Sequence, residues 1–230
     1  QVSVAGNLKY DLRPDDALLA RGRAWRARLG RPVLAMTNTR DGEEARLLAA
    51  WRRAQWSGPP PLLLIVPRHP QRFDWVSTLI AGQGLNHVRR SAWGDDGPDE
   101  AACQAEVWLG DSLGEMSAWY GVADLAVLGG SFEPLGGHNL IEAAACGCPI
   151  VLGPSVFNFT DAAERALDEG AAWTVEDLPS ALALANELLN QPLILETARC
   201  AALHYSAAHR GAAQRMAAQI LVRLTSPAAR

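Results

Sequence analysis

The chain has 230 residues, of which 49% are apolar, and a formal net charge of -4 at pH 7. This length and apolar content suffice for a sizeable buried core, and the negative charge disfavours a nucleic-acid partner, since nucleic acids select basic surfaces. No run of eighteen apolar residues and no basic-then-apolar leader occurs, so we expect a soluble chain without a membrane span or export signal.

Short apolar runs alternate with segments of helical spacing, which predicts parallel strands joined by crossover helices. The predicted strands are, in chain order, Val33 to Met36, Leu62 to Val66, Asn86 to Ser91, Val107 to Leu109, Leu125 to Leu128 and Ile150 to Leu152. About six strands are a common size for an open sheet. We therefore predict one α/β domain, a Rossmann-like doubly wound parallel sheet, over residues 1–230.

The two ends of the chain carry further patterns. Val2 to Ala5 resembles a strand, and because the chain starts at Gln1 rather than at methionine we expect a piece of a longer protein. Helices are predicted from about Leu193 to the end. A stripe at helical spacing there predicts a helix with a core-packing face, within a helical tail that we expect to pack outside the doubly wound domain; the residues of the stripe are Ala213, Met216, Ala217, Ile220 and Leu224.

Several kinds of site are disfavoured by missing motifs. A phosphate-binding Gly-Lys loop is absent, because the sole lysine is Lys9, and so are G-x-G-x-x-G and G-x-S-x-G. The histidines show no metal-binding spacing, and the four cysteines form no C-x-x-C pair. We expect no metal, no disulfide and reduced, buried thiols.

Glycines and polar residues follow the predicted strands, where an open parallel sheet binds its ligands. After Leu125 to Leu128, Gly136 and Gly137 are predicted to let backbone amides approach a phosphate, at the N-terminus of a helix that starts near His138. Asn139 and Glu142 are three residues apart on one face of that helix. The Glu142 carboxylate is suited to accept both hydroxyls of a ribose.

Arg68, in the stretch "PRHP", adds a planar cation suited to phosphate or carboxylate. Each of these segments taken singly is also typical of ordinary turns and helix caps. Together they indicate a nucleotide or nucleotide-sugar site.

Five segments in order resemble the C-terminal half of the Kdo transferases, glycosyltransferases that move 3-deoxy-manno-octulosonate (Kdo) from its CMP-activated form onto a lipid A precursor. The segments are "GNLKYD" (6–11), "VPRHPQRF" (66–73), "GDSLGEMSAWYGVAD" (110–124), "GGSFEPLGGHNLIEAA" (129–144) and "GPSVFNF" (153–159). The resemblance implies the C-terminal half of a two-domain enzyme of the GT-B type, with residues 1–14 as the interdomain linker and about 193–230 as C-terminal helices.

The resemblance also implies roles for individual residues. It places Arg68 and His69 at the charges of CMP and Kdo, and Glu142 at the ribose. The resemblance implies that the nucleotide pocket is lined by Gly114, Glu115 and Met116. The residues implied to face the phosphate are Ser131, Gly136, Gly137, His138 and Asn139.

The implied reaction is an inverting transfer from CMP-Kdo to lipid IVA without a metal or other cofactor. The catalytic base and the lipid-binding surface are expected in an N-terminal half outside this chain. No catalytic residue is therefore predicted here, and we expect the chain to bind CMP or CMP-Kdo but to be inactive alone. The full-length protein is expected at the cytoplasmic face of the inner membrane of a Gram-negative bacterium, and only it would contact the membrane.

Two departures from the family pattern occur. The family usually has Ser-Thr-His before its Gly-Glu, where this chain has Asn38-Thr39-Arg40-Asp41, so that Arg40 stands at the position of the histidine. The family also often has Glu-Pro where this chain has Glu142-Ala143. Two alternatives remain open: another nucleotide-sugar enzyme of this architecture, such as a UDP-N-acetylglucosamine transferase or epimerase, and a non-catalytic nucleotide-binding module.

Overall fold

The structure is a computed structural model that describes residues 7–94, 96–208 and 210–225. Within them, seven strands form one sheet: β1 (Val33–Thr39), β2 (Leu62–Pro67), β3 (His87–Arg89), β4 (Val107–Leu109), β5 (Leu125–Leu128), β6 (Ile150–Leu152) and β7 (Ala172–Thr174). All pairings between them are parallel, in the order β3-β4-β2-β1-β5-β6-β7. The predicted doubly wound fold is thus confirmed. The sequence does not predict β7, and the expected strand Val2 to Ala5 lies outside the described residues.

Ten α-helices connect and flank these strands in the described ranges: α1 (Asp16–Ala27), α2 (Glu43–Trp51), α3 (Phe73–Gly82), α4 (Glu100–Gln104), α5 (Met116–Val122), α6 (Leu140–Ala145), α7 (Thr160–Asp168), α8 (Leu178–Leu189), α9 (Pro192–Ala208) and α10 (Ala212–Thr225). Side-chain caps fix several starts, as at Asp15, whose Oδ1 accepts from Leu18 N. Short 3-10 helices span Leu8–Tyr10, Pro70–Arg72 and Arg90–Ala92.

The core consists of two layers on either side of the sheet. Because side chains alternate along a strand, Val33 and Ala35 of β1 join the core under α1, α5, α6 and α7. Leu34 and Met36 point the other way and pack with α2, α3 and α8. The central strands are buried on both faces, which explains their continuous apolar runs.

The C-terminal helices return to the N-terminal segment. The Tyr205 hydroxyl of α9 donates to the carbonyl of Ala162 in α7 at 2.7 Å. The Asp11 carboxylate accepts from Gly211 N and Ala213 N at the start of α10, both at 2.8 Å. These amides lower the pKa of Asp11.

The prediction that the α10 stripe packs on the core is wrong. Ile220 is 58% exposed and Met216 is only half-buried. The physical reason is position: α10 lies beyond the sheet, with its contacts at the 3-10 helix Leu8–Tyr10. Apolar spacing identified an amphipathic helix but not its partner.

The four cysteines are free thiols. Cys146 and Cys148 are buried as expected, and burial raises the pKa of Cys146 to about 12. Cys200 is exposed, so the expectation of burial does not hold for every cysteine. Within the described part of the chain, no helix combines the length and apolar content needed to cross a membrane.

Candidate functional site

Three adjacent strands at the centre of the sheet end beside one another. The chain continues from β2 into Arg68 and His69, from β1 into Arg40, and from β5 into Gly129 and Gly130. The connections run outward on opposite sides of β1 and β5, so the topological switch point lies between these two strands. Open α/β sheets bind ligands in the crevice at that point.

The end of β1 has an irregular backbone. Its register against β2 shifts between Thr37 and Thr39, and Asn38 adopts a left-handed φ of 57°. Gly129, after β5, is required here, because a Cβ on it would lie 2.7 Å from the Asn38 carbonyl oxygen. The bulge redirects the chain just before Arg40, and bulges of this kind are common next to functional sites.

The loops after β1 and β5 are joined by Glu43, the first residue of α2. Its carboxylate accepts from Gly130 N at 2.8 and 2.9 Å, from Arg40 N at 2.8 Å and from Phe132 N at 3.3 Å. Glu43 is fully buried, and burial raises its pKa although these amides oppose the rise. Sequence reasoning missed this residue, since an acidic residue in the first turn of a helix is ordinary.

Positive groups collect around this crevice. Arg40 is half-buried and Arg68 is exposed. Within residues 7–94, 96–208 and 210–225, neither guanidinium forms a hydrogen bond or an ion pair. His69 is exposed and precedes the 3-10 helix Pro70–Arg72.

His138 faces the same groups. A Cβ on Gly130 would lie 2.9 Å from His138 Cδ2 and 3.7 Å from Arg40 Cγ, so the imidazole and the arginine stem meet over this glycine. Burial, followed by the charges of Arg40, Arg68 and His69, lowers the pKa of His138 to about 4. The imidazole is neutral at pH 7 and can donate one hydrogen bond and accept another.

Glu142 supplies a carboxylate beside these cations. It is half-buried in the first turn of α6, and burial raises its pKa while Arg68 opposes the rise. In the described residues no hydrogen bond or ion pair occupies it. A carboxylate without a partner in a half-buried position is suited to accept hydroxyl groups of a ligand.

Asn139 serves as the N-cap of α6 rather than lying on its face. Its Oδ1 accepts from Ile141 N at 3.1 Å, and the helix begins at Leu140. The predicted start near His138 is therefore two residues early. The amide side chain stabilises the first turn that carries Glu142.

The amides of Gly136 and Gly137 are engaged within the protein. Gly136 N donates to Ser155 Oγ at 3.0 Å, and Gly137 N donates to Gly130 O at 2.9 Å. The structure does not support the prediction that they approach a phosphate. The glycines are needed for another reason: both have left-handed φ, and a Cβ on Gly136 would lie 2.3 Å from Asn158 Nδ2.

Ser131 is likewise internal. Its hydroxyl is fully buried, donates to the carbonyl of Leu128 and accepts from Gly153 N at 2.8 Å. It links the ends of β5 and β6. The structure therefore does not bring the Ser131 side chain to a ligand, because its single donor is already used.

The segment after β4 lies two strands from β1, on the β2 side. Gly114 is exposed with a φ of 78°, and Met116 is half-buried against the core. Glu115 is held by Arg90, whose Nε and Nη2 donate to the two carboxylate oxygens at 3.0 and 2.9 Å. That these residues line a nucleotide pocket stays a prediction, and the Glu115 carboxylate already has a partner.

Two sizeable cavities lie beside the crevice. One of about 640 Å³ is lined by residues of α2 and α8. Another of about 560 Å³ lies between Phe132–Pro134 and residues 154–160. Neither is lined by the four residues at the switch point that we call the rim: Arg40, Arg68, His138 and Glu142. No set of three His, Cys, Asp or Glu side chains in the described residues could hold a metal ion.

Two curated relatives of the chain share one name. A curated protein from Bordetella pertussis, named 3-deoxy-D-manno-octulosonic acid transferase, is 45% identical over 216 residues, covering 93% of this chain and 50% of that protein. Its namesake from Haemophilus influenzae is 34% identical over 94% of this chain and 50% of that protein. The chain belongs to the 3-deoxy-D-manno-octulosonic acid transferase family. It spans about half the length of these relatives. No protein-family model matches it.

Solved structures agree with this family. The crystal structure of the C-terminal CMP-Kdo binding domain of WaaA from Acinetobacter baumannii matches with a TM-score of 0.74 and 28% identity, covering 83% of this chain and 98% of that one. Sucrose-phosphate synthase from Thermosynechococcus elongatus matches with a TM-score of 0.60 at 20% identity, over 97% of this chain and 51% of that chain, which shows the fold alone. The chain thus corresponds to the C-terminal half of a GT-B-type transferase.

Proposed function

We propose that this chain binds CMP-Kdo and is the donor half of a transferase that moves Kdo onto a lipid A precursor. The observation that carries the proposal is the position, at the switch point, of the Arg68 guanidinium beside the Glu142 carboxylate, both without a hydrogen bond or ion pair in the described residues. CMP-Kdo carries negatively charged groups for the cation and ribose hydroxyls for Glu142. The similarity to the CMP-Kdo binding domain from Acinetobacter baumannii, at 28% identity, supports the same donor.

In this proposal Arg68 lies near the phosphate that leaves with CMP. Fixed positive charge at a leaving phosphate stabilises the transition state, and such preorganised groups usually contribute most to catalysis. Neutral His138 adds a hydrogen-bond donor without adding charge. The first turn of α6 holds Glu142 in reach of the ribose.

The remaining parts of the reaction belong to the full-length protein. We propose that its other half supplies the base that deprotonates the acceptor hydroxyl, and the surface that binds lipid IVA. The transfer would then invert the anomeric centre in one displacement, with no metal involved, at the cytoplasmic face of the inner membrane. The chain alone would bind the donor and not turn it over.

Two experiments test the proposal. The first compares the melting temperature of the chain with CMP and with UDP; we expect CMP to raise it more, and a preference for UDP would favour a UDP-sugar enzyme. The second measures transfer of Kdo from CMP-Kdo to lipid IVA by the full-length protein, with and without EDTA. Transfer that EDTA leaves unchanged is expected, whereas loss of transfer would contradict metal independence.

A further inference from the structure

Arg40 lies directly at the switch point. It follows β1, the central strand, and its backbone nitrogen donates to the buried Glu43 carboxylate at 2.8 Å. The same carboxylate accepts from Gly130, so the position of Arg40 relative to the loop after β5 is fixed at two points. The aliphatic part of the Arg40 side chain passes over Gly130: a Cβ built on this glycine would lie 3.7 Å from Arg40 Cγ. The backbone that carries the Arg40 side chain is therefore held in a fixed position.

The acidic groups near Arg40 are committed elsewhere. Asp41 forms an ion pair with Arg72 at 2.5 Å, and the Glu43 carboxylate is saturated by backbone amides. Arg40, Arg68 and His69 all act electrostatically on His138, and none of these side chains supplies a negative charge. The Glu142 carboxylate interacts electrostatically with Arg68, whose charge opposes the rise in the Glu142 pKa. Arg40 is thus left without a counter-ion among the described residues.

Most other half-buried arginines in the described residues are paired, with Arg210, outside the crevice, as an exception. Arg26 contacts Asp124 at 2.7 Å, Arg89 contacts Asp111 at 2.6 Å, and Arg90 contacts Glu115 at 2.9 Å. This pattern is expected, because a partly desolvated guanidinium is costly unless a carboxylate or carbonyl accepts from it. Arg40 is unpaired, half-buried and placed at the switch point, where open α/β sheets bind ligands, and this combination indicates a partner that comes from a ligand.

We propose that Arg40 binds an oxyanion of the sugar-nucleotide donor, either its phosphate or the carboxylate of its sugar. The planar guanidinium fits both groups through two parallel hydrogen bonds. The inference rests on the proposed function and adds a specific donor contact to it. The family resemblance gives this position to a histidine and assigns no role to an arginine there.

The test measures binding of CMP and of CMP-Kdo by calorimetry, with the 230-residue chain and with the full-length protein. The variants are Arg40→Ala and Arg40→Lys, and the control is Arg53→Ala, which removes an equal charge beyond the opposite end of α2. Because the Arg40 side chain contributes no hydrogen bond to the fold, both Arg40 variants should melt at the wild-type temperature. We expect Arg40→Ala to weaken CMP-Kdo binding at least about tenfold, with Arg40→Lys in between and Arg53→Ala unchanged.

The two ligands distinguish the two sources of the oxyanion. An equal loss for CMP and CMP-Kdo identifies the phosphate, and a loss confined to CMP-Kdo identifies the sugar carboxylate. Unchanged affinity of Arg40→Ala for both ligands overturns the inference while leaving the proposed function intact. If the wild-type full-length protein binds neither ligand, the proposed function itself fails and the inference fails with it.

Discussion

The carboxylate of Glu43 accepts a hydrogen bond from the backbone N–H of Gly130 at 2.8 Å, across the switch point between β1 and β5. It also accepts a hydrogen bond from Arg40 N, so one buried side chain sets the distance between the loops that follow β1 and β5. The crevice that we assign to the donor is therefore shaped by an acidic residue that need not contact the donor.

Substitution of Glu43 should affect both stability and binding. Glu43→Ala leaves the buried amides of Gly130 and Phe132 and the partly buried amide of Arg40 without an acceptor, at about 1–3 kcal/mol for each buried amide. We expect a clear loss in free energy of unfolding, measured by urea denaturation, and at least a tenfold loss in CMP affinity, since 1.4 kcal/mol corresponds to about tenfold.

Glu44→Gln is the matched control. Glu44 is equally buried but bonds Thr39 Oγ1 and Arg72 instead of the loop after β5. It should lower stability while changing CMP affinity by less than about threefold. Wild-type CMP affinity in Glu43→Ala would contradict the positioning role.

Glu142 should be required for nucleotide binding. Glu142→Ala removes the acceptor assigned to the ribose hydroxyls. Hydrogen bonds to a charged group typically contribute about 1.5–3 kcal/mol, so we expect calorimetry to show a tenfold or larger loss in CMP affinity. Glu164→Ala, at an exposed position of α7, is the control. Unchanged affinity in Glu142→Ala would remove this residue from the site.

His138 should report on anion binding through its pKa. The free chain holds this pKa at about 4, below the ordinary 6.5, because of burial and nearby cations. A bound phosphate offsets those cations, so CMP should raise the pKa in an NMR titration, with His204 as an unresponsive control signal. No response of His138 to saturating CMP would argue that the phosphate lies elsewhere.

The same shift has a consequence for stability. Between pH 6.5 and about 4 the unfolded chain binds a proton at His138 that the folded chain does not. Stability contributed by the neutral imidazole is therefore present above pH 6.5 and is lost as the pH falls towards 4. His138→Gln should reduce this acid sensitivity, as measured by urea denaturation at both pH values.

The Glu115–Arg90 pair should contribute to folding more than to binding. The two side chains are 13% and 16% exposed, and the Arg90 guanidinium lies 5.3 Å from the Trp25 ring. Glu115→Ala should cost about 1–3 kcal/mol of unfolding free energy, between the values for exposed and buried pairs. Its CMP affinity should change by less than about threefold. A tenfold loss of affinity would instead support a direct role of Glu115 in the nucleotide pocket.

The sequence predicts the sheet well where burial is complete. The runs in β1, β2 and β5 are apolar because both faces are covered, whereas β7 is a three-residue edge strand with exposed positions and gives no such signal. The α10 stripe shows the reverse case: an apolar pattern is visible, but its partner is not. Periodicity reports amphipathicity, and only tertiary structure identifies the surface that receives it.

The candidate site is less predictable than the fold. The sequence shows that Gly136 and Gly137 carry no side chain, but it cannot reveal that both adopt positive φ or that Ser155 and Gly130 already accept from their amides. For the same reason Ser131 looks available in the sequence and is internal in the structure. Hydrogen-bond partners distant in sequence decide which polar groups remain for a ligand.

The most direct test of the central claim is titration calorimetry with CMP, using UMP as the control and the full-length protein beside the 230-residue chain. The account predicts saturable binding of CMP, with a clear preference over UMP, because the rim formed by Arg40, Arg68, His138 and Glu142 recognises a cytidylate donor. Equal affinity for the two nucleotides, or no binding of either by the full-length protein, would contradict it.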